Sequence, residues 1–289
     1  LMNLEKLTLG DYEQVKNLSK KYGLDVLKKN DWTSIWEKNP FIIKSQKDWT
    51  IGWKLVNPKN EIVGLIHNIP FTFYYKNKNY LAAICGNWVI DNKYRSFALD
   101  IRSKFLNQKN IDLYITNTAN EISEKVMEAF KAKKILQHEY FNRMVYMLNK
   151  RKIIINYIKK ISFNKNLVED IKSFKNILFK KADLEINNNF SVSNDFSPDF
   201  DDLNNSLKKK EILYSSKDCE WLNWKYARLI NTDNLWVIKN YDNHKLTGFL
   251  AFVVNYEKNY KLKKSTVVEL SFINENELKI SEMMKKCIL

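Results

Sequence analysis

The chain is poor in the residues that build metal sites and disulfide frameworks: it has three cysteines and three histidines in 289 residues. Cys85, Cys219 and Cys287 are far apart and odd in number, which fits a reducing cytosol and offers no ligand spacing. His67, His138 and His244 pair neither with one another nor with a cysteine, so no metal is expected. Long apolar runs are missing too. No stretch approaches the length of a membrane span, and the opening residues carry no signal-peptide pattern. These absences predict a cytoplasmic protein without a membrane span.

Lysine is what the chain has in excess. Lys and Arg number 48 against 33 Asp and Glu, a formal net charge of +15. The lysines are spread along the chain and accompanied by abundant asparagine, as an AT-rich genome would impose on a solvated surface. The other reading is an attraction for anions: coenzyme A, a nucleotide-linked sugar or RNA. The apolar share of 45% is that of a globular protein, and the length suits one large domain or two small ones.

The most informative stretch is LAAICGNWVIDNKYRSFALDIRSKF, from Leu81 to Phe105. Leu81–Ile90 is apolar and reads as a strand buried on both faces. Asp91-Asn92-Lys93 is a turn, and Ala98, Ile101 and Phe105 then fall at helical spacing. A buried strand running into a helix start aims free backbone N–H groups at one point, a place that suits a phosphate.

Upstream, Tyr12, Val15, Leu18 and Tyr22 share one helix face. Trp32 and Trp36 share another, ended by Pro40. Trp49–Val56 and Glu61–Ile66 form a hairpin by pattern. His67-Asn68-Ile69-Pro70 is expected to break the chain before strands Phe71–Tyr75 and Tyr80–Ile90. Ile111–Thr116 is a strand and a candidate parallel neighbour of the one before the helix. Asn120 is placed to cap the helix that follows. His138–Asn149 reads as an edge strand, and Ile153–Ile161 and Leu167–Leu178 as helices.

In this order the chain resembles the GNAT superfamily of N-acetyltransferases, and the segment from Ile90 to Arg95 resembles its acyl-coenzyme A signature. Arg95 matches the first position of the pattern Q/R-x-x-G-x-G/A; Ala98 and Asp100 stand where two small residues belong. The resemblance implies an α/β fold of mixed α+β type, a central mixed sheet flanked by helices. It implies that the backbone of Trp88, Val89 and Ile90 grips pantetheine. The turn Tyr94, Arg95, Ser96, Phe97, Ala98 and Leu99, with Asn120, would complete the acyl-coenzyme A site. Trp32 and Trp36 would either wall the acceptor site or cover the core. The family often has a tyrosine that protonates the departing thiolate and a glutamate on the fourth strand. Here Met127 stands at the first place, and Cys85-Gly86-Asn87-Trp88 offers no carboxylate at the second. Asn87 and His67 are left as the candidate catalytic residues.

From Ala182 the order of elements begins again. An acidic loop with Asp195, Asp199, Asp201 and Asp202 reads as a helix start or a cation site. The segment KDCEWLNWKYAR, Lys217–Arg228, looks like part of a second GNAT-like half. The expected organisation is a GNAT-like acyl-coenzyme A domain over 1–150, a helical bridge over 151–182 and a reduced second GNAT-like domain over 183–289, ending before its last strands. The implied activity is an acyl-coenzyme A-dependent acyltransferase, an N-acetyltransferase with acetyl-coenzyme A or another acyl-coenzyme A as co-substrate. The acceptor would be a small molecule such as an amino sugar or nucleotide sugar. Two alternatives stand beside it: a tandem-GNAT transferase that takes amino acids from charged tRNA, the one case with a nucleic-acid partner, and a non-catalytic binding module.

Overall fold

The computed structural model describes residues 2–46, 48–117, 119, 121–134, 189–257, 262–274 and 277–286. The expected edge strand His138–Asn149, both bridging helices and the capping residue Asn120 lie outside these. The chain divides into two compact units, Leu1–Lys134 with Ser197–Arg228, and Ile135–Phe196 with Leu229–Leu289.

The first unit is built on a mixed sheet. Its strands are β1 (Asn3–Lys6), β2 (Gly52–Val56), β3 (Ile62–Tyr75), β4 (Lys78–Ile90) and β5 (Leu113–Thr116), in spatial order of their numbers. All neighbours are antiparallel except β4 and β5, which the crossover helix α4 (Ala98–Leu106) makes parallel. Helices α1 (Tyr12–Lys21) and α2 (Lys29–Glu37) cover one face. Tyr12, Val15, Leu18, Trp32 and Trp36 pack there on Ile62, Leu65 and Val89. Helix α4 covers the other face, where Ile101 and Phe105 meet Trp53, Ile66, Ala83 and Cys85. The period-2 alternation of β3 is thus buried on both sides, as its continuous apolar run requires.

The expected break at His67–Pro70 does not occur; β3 runs unbroken through it. Pro70 cannot donate to a ladder, and strands admit proline only where no partner needs its N–H. That condition is met here. Pairing of β2 with β3 stops at His67, and the short strand β7 (Tyr214–Ser215) joins β3 only at Phe73 and Tyr74. In the gap, side chains and loops replace a strand. Asn68 donates its backbone N–H to Ile51, its carbonyl accepts from the Trp36 and Trp49 indoles, and the Pro70 carbonyl accepts from the Asn39 amide. The hairpin's first strand also starts later than expected, at Gly52 rather than Trp49.

Ser197–Arg228 groups with the first unit, although in sequence it reads with the segment after it. Helix α6 (Asp199–Leu207) buries Phe200, Leu203 and Leu207 and opens with Asp199, Asp201 and Asp202, negative charge where the helix dipole favours it. Helix α7 (Cys219–Ile230) places Trp221 and Trp224 around Phe71.

The second unit carries an antiparallel sheet in the order β10 (Leu262–Phe272), β9 (Lys245–Glu257), β8 (Leu235–Asp242), β6 (Phe190–Ser193). Helix α8 (Glu277–Lys286) follows, with Met283 fully buried on Ile238, Leu250, Phe252 and Phe272. The meander β8–β9–β10–α8 has the element order of β2–β3–β4–α4, and two details recur. Each third strand carries one extra residue, at Gly86–Asn87 in β4 and at Val268 in β10. Each middle strand has a glycine opposite the last residue of the third, Gly64 facing Ile90 and Gly248 facing Phe272.

Candidate active site

The site starts from that extra residue in β4. Ile66 pairs with Trp88 and Asn68 with Cys85, so Gly86 and Asn87 together oppose His67. A bulge bends its strand and sharpens its twist. On the other edge of β4, pairing with β5 ends at the same level, at Cys85 and Thr116. The two parallel strands therefore part at the bulge. Beyond it, the half-buried Gly86, Asn87, Trp88 and Ile90 and the buried Val89 have β3 on one side and, among the described residues, no strand on the other. Gly86 is required here. A Cβ on it would come within 2.9 Å of the His67 Cβ.

The strand runs out into two 3-10 turns within Asn92–Phe97, kinked at Tyr94, and then α4. This turn is tied to the end of α1. The Asp91 carboxylate accepts from the Lys21 ammonium and, at 3.2 Å, from the Lys93 N–H; the Asn92 N–H donates to the Tyr22 hydroxyl at 3.0 Å. The Lys21 contact, with the Lys93 amide, holds the Asp91 carboxyl below its ordinary range. Arg95, Ser96 and Leu99 are exposed, and Tyr94, Phe97 and Ala98 half-buried. The amides at the start of α4 have no side-chain cap, and the helix N-terminus presents its partial positive charge there. Asp100, exposed in the first turn, opposes an anion there, whereas the charge of Asp91 is offset by Lys21.

His67 is 4% exposed, with the Trp36 ring centroid at 5.4 Å and that of Trp32 at 5.8 Å. Its Nε2 has no hydrogen-bond partner, and burial pushes its pKa down to about 4, so the ring is neutral at pH 7. Trp32 and Trp36 are themselves buried in the core, 4% and 2% exposed, and reach the site through His67. Asn87 sits on the bulge itself. Met127, in α5 (Glu121–Ala129), is buried.

Sequence reasoning missed Arg102. It is buried on α4, with Nη2 donating to Thr116 Oγ1 at 3.3 Å, at the point where β4 and β5 part. The available signal was its spacing: Ala98, Arg102 and Phe105 fall on one helix face, and Phe105 had already been placed inward.

No protein-family model matches the chain, and no curated protein matches it either. Solved structures do. A GCN5-related N-acetyltransferase from Kribbella flavida matches over 100% of this chain and 62% of its own, with a TM-score of 0.55 and 11% identity. A probable N-acyltransferase from Enterococcus faecalis matches over 98% and 61%, with a TM-score of 0.56 and 8% identity. The chain has the GNAT fold. Saccharomyces cerevisiae N-myristoyltransferase, solved with bound myristoyl-CoA, shares that fold over 99% of this chain and 69% of its own, at a TM-score of 0.51 and 11% identity. The chain thus spans about three fifths of the length of the first two. In GNAT terms, the parted strands are β4 and β5, and the turn before α4 follows the fourth strand.

Proposed function

We infer that the protein is an acyl-coenzyme A-dependent acyltransferase, transferring an acetyl or other acyl group to a small acceptor such as an amino sugar or nucleotide sugar. The parting of β4 from β5 at Cys85 and Thr116 carries this reading. Among the described residues no strand lies on that side of Gly86–Ile90, and an extended amide-bearing chain such as pantetheine would pair there as a strand does. At the open end of the parting, the exposed Arg95 and the first-turn amides of α4 that follow Ala98, whose own N–H donates to the Arg95 carbonyl, suit a pyrophosphate. The residues present fit the co-substrate with one exception, Asp100.

The chemistry is attack of an amine or hydroxyl on a thioester, and alignment supplies much of the rate. Asn87 and His67 meet at the bulge, where an acceptor or a water is to be positioned. A histidine whose pKa lies at about 4 is a weak base, so the acceptor's proton leaves to solvent or through a water held there. Met127 cannot return a proton to the thiolate, and no protein acid is assigned to that step.

Isothermal titration with acetyl-coenzyme A tests the reading. Binding is expected, and Arg95→Glu should weaken it about tenfold or more, ~1.4 kcal/mol, by reversing the charge beside the phosphates. An unmodified protein that ignores every acyl-coenzyme A but binds charged tRNA would replace this reading with the aminoacyl-tRNA one.

A further inference from the structure

Where β4 and β5 part, on the face covered by α4, hydrogen-bond donors gather without acceptors. Arg102 is 3% exposed, and its Nε and Nη1 have no hydrogen-bond partner. Its guanidinium carbon lies 4.8 Å from the Phe105 ring and 5.6 Å from that of Trp88. The Trp88 indole nitrogen is likewise buried and without a partner. The contacts Arg102 does make are with Thr116 Oγ1 and the Cys85 thiol. Burial is the first influence on that thiol and pushes its pKa up, so it brings no negative charge. No carboxylate among the described residues acts on the guanidinium.

A buried cation without a counter-charge costs several kcal/mol of stability, and proteins place one where an anion is to be met. The missing partner must accept several N–H groups from an arginine fork that lies over an indole with a free N–H of its own. A carboxylate does this, and arginine is the side chain whose planar donors match one.

The position says what bears the carboxylate. Arg102 touches the last paired residues of both strands, so it stands at the closed end of the parting. The turn Tyr94–Leu99 stands at the open end, past Ile90, which lies roughly 16 Å along β4 from Cys85, the reach of an extended pantetheine arm. A thioester held with its phosphates at the open end presents its acyl group toward the closed end. We propose that the acyl group itself ends in a carboxylate, and that Arg102, with the Trp88 indole, reads it. The donor is then the coenzyme A half-thioester of a short dicarboxylic acid. This rests on the acyl-coenzyme A reading above and narrows it.

Succinyl-, butyryl- and acetyl-coenzyme A separate the two. Succinyl and butyryl have the same carbon count and differ in the carboxylate. By calorimetry on the full chain, succinyl-coenzyme A should bind at least about tenfold more tightly than butyryl-coenzyme A. In Arg102→Met that preference should fall to within about twofold, and Arg102→Lys should keep part of it. Equal affinities of the unmodified protein for succinyl and butyryl would overturn the proposal and leave the acyltransferase reading standing. Failure of all three to bind would overturn both. The comparison in the unmodified protein decides even if a variant does not fold, which its near-ultraviolet circular dichroism reports.

Discussion

At the scale of single residues, burial decides what His67 can do. An imidazole ringed by Trp32 and Trp36 resists protonation, hence the fall of its pKa from an ordinary 6.5 to about 4. Above pH 6.5 the ring is neutral in both the folded and unfolded chain and contributes nothing to pH dependence. Between 6.5 and 4 the unfolded chain takes up a proton that the folded one refuses, so stability falls as pH falls through that window. The loss amounts to about 3 kcal/mol once both values are passed. Chemical denaturation from pH 7 to pH 4.5 should show a downward slope that His67→Gln lacks; an unchanged slope in the variant would mean the ring is not the source. The sequence offered His67 as a candidate base from its place before Pro70. Its burial was illegible, because the rings around it arrive from a helix some thirty residues earlier. Arg102 shows the opposite limit. Its spacing was readable, but a charge at a helical core position reads as surface until the strands beneath it are known to part.

Among elements, helix ends and strand edges carry the corrections. The residue after the last turn of α5 is Lys131, with φ of +62°. Glycine favours this left-handed position, and a side chain there costs about 1 kcal/mol. Lys131→Gly should therefore raise stability by about 0.5–1 kcal/mol, read as a shift in the denaturant midpoint with an unchanged m-value. A neutral or destabilising result would mean that the backbone geometry at this end is not what limits the helix. The parallel crossover and the apolar character of Leu81–Ile90 were legible from periodicity and turn residues, whereas the short edge strand β1, with no alternating pattern of its own, was not read from the sequence. Nor was the continuity of β3. Pro70 is a breaker by local rule, and only the gap between β2 and β7, filled by Asn39, Trp36 and Trp49, removes the objection. The bulge left no periodic trace either: one extra residue in β4 becomes visible only against its partner strand.

For the molecule as a whole, the sequence suggests a repeated order of elements, and the second sheet has two features of the first that pattern alone does not encode: the extra residue in the third strand and the facing glycine of the second. We propose on these grounds that the second unit is a reduced copy of the first. They do not extend to its boundaries, since Ser197–Arg228 groups with the first unit. The net charge of +15 acts at this scale as well. If it draws anions rather than merely solvating the surface, the association rate constant for coenzyme A thioesters, measured by stopped flow, should fall several-fold between roughly 20 and 200 mM salt, as the Debye length shortens. A flat dependence would assign the lysines to solvation alone.

The clasp between α1 and the turn after β4 has a consequence for the order in which the chain acquires its ligand site. Lys21 and Tyr22 meet Asp91 and Asn92 across seventy positions of sequence. The turn that follows is built with no glycine and takes its shape from a segment synthesised long before it. Closing so long a loop costs entropy, and that cost is met by folding rather than by the incoming ligand. The amides from Arg95 to Leu99 are thus set before any phosphate arrives, and a chain that has not yet brought its first helix home has nowhere to put one.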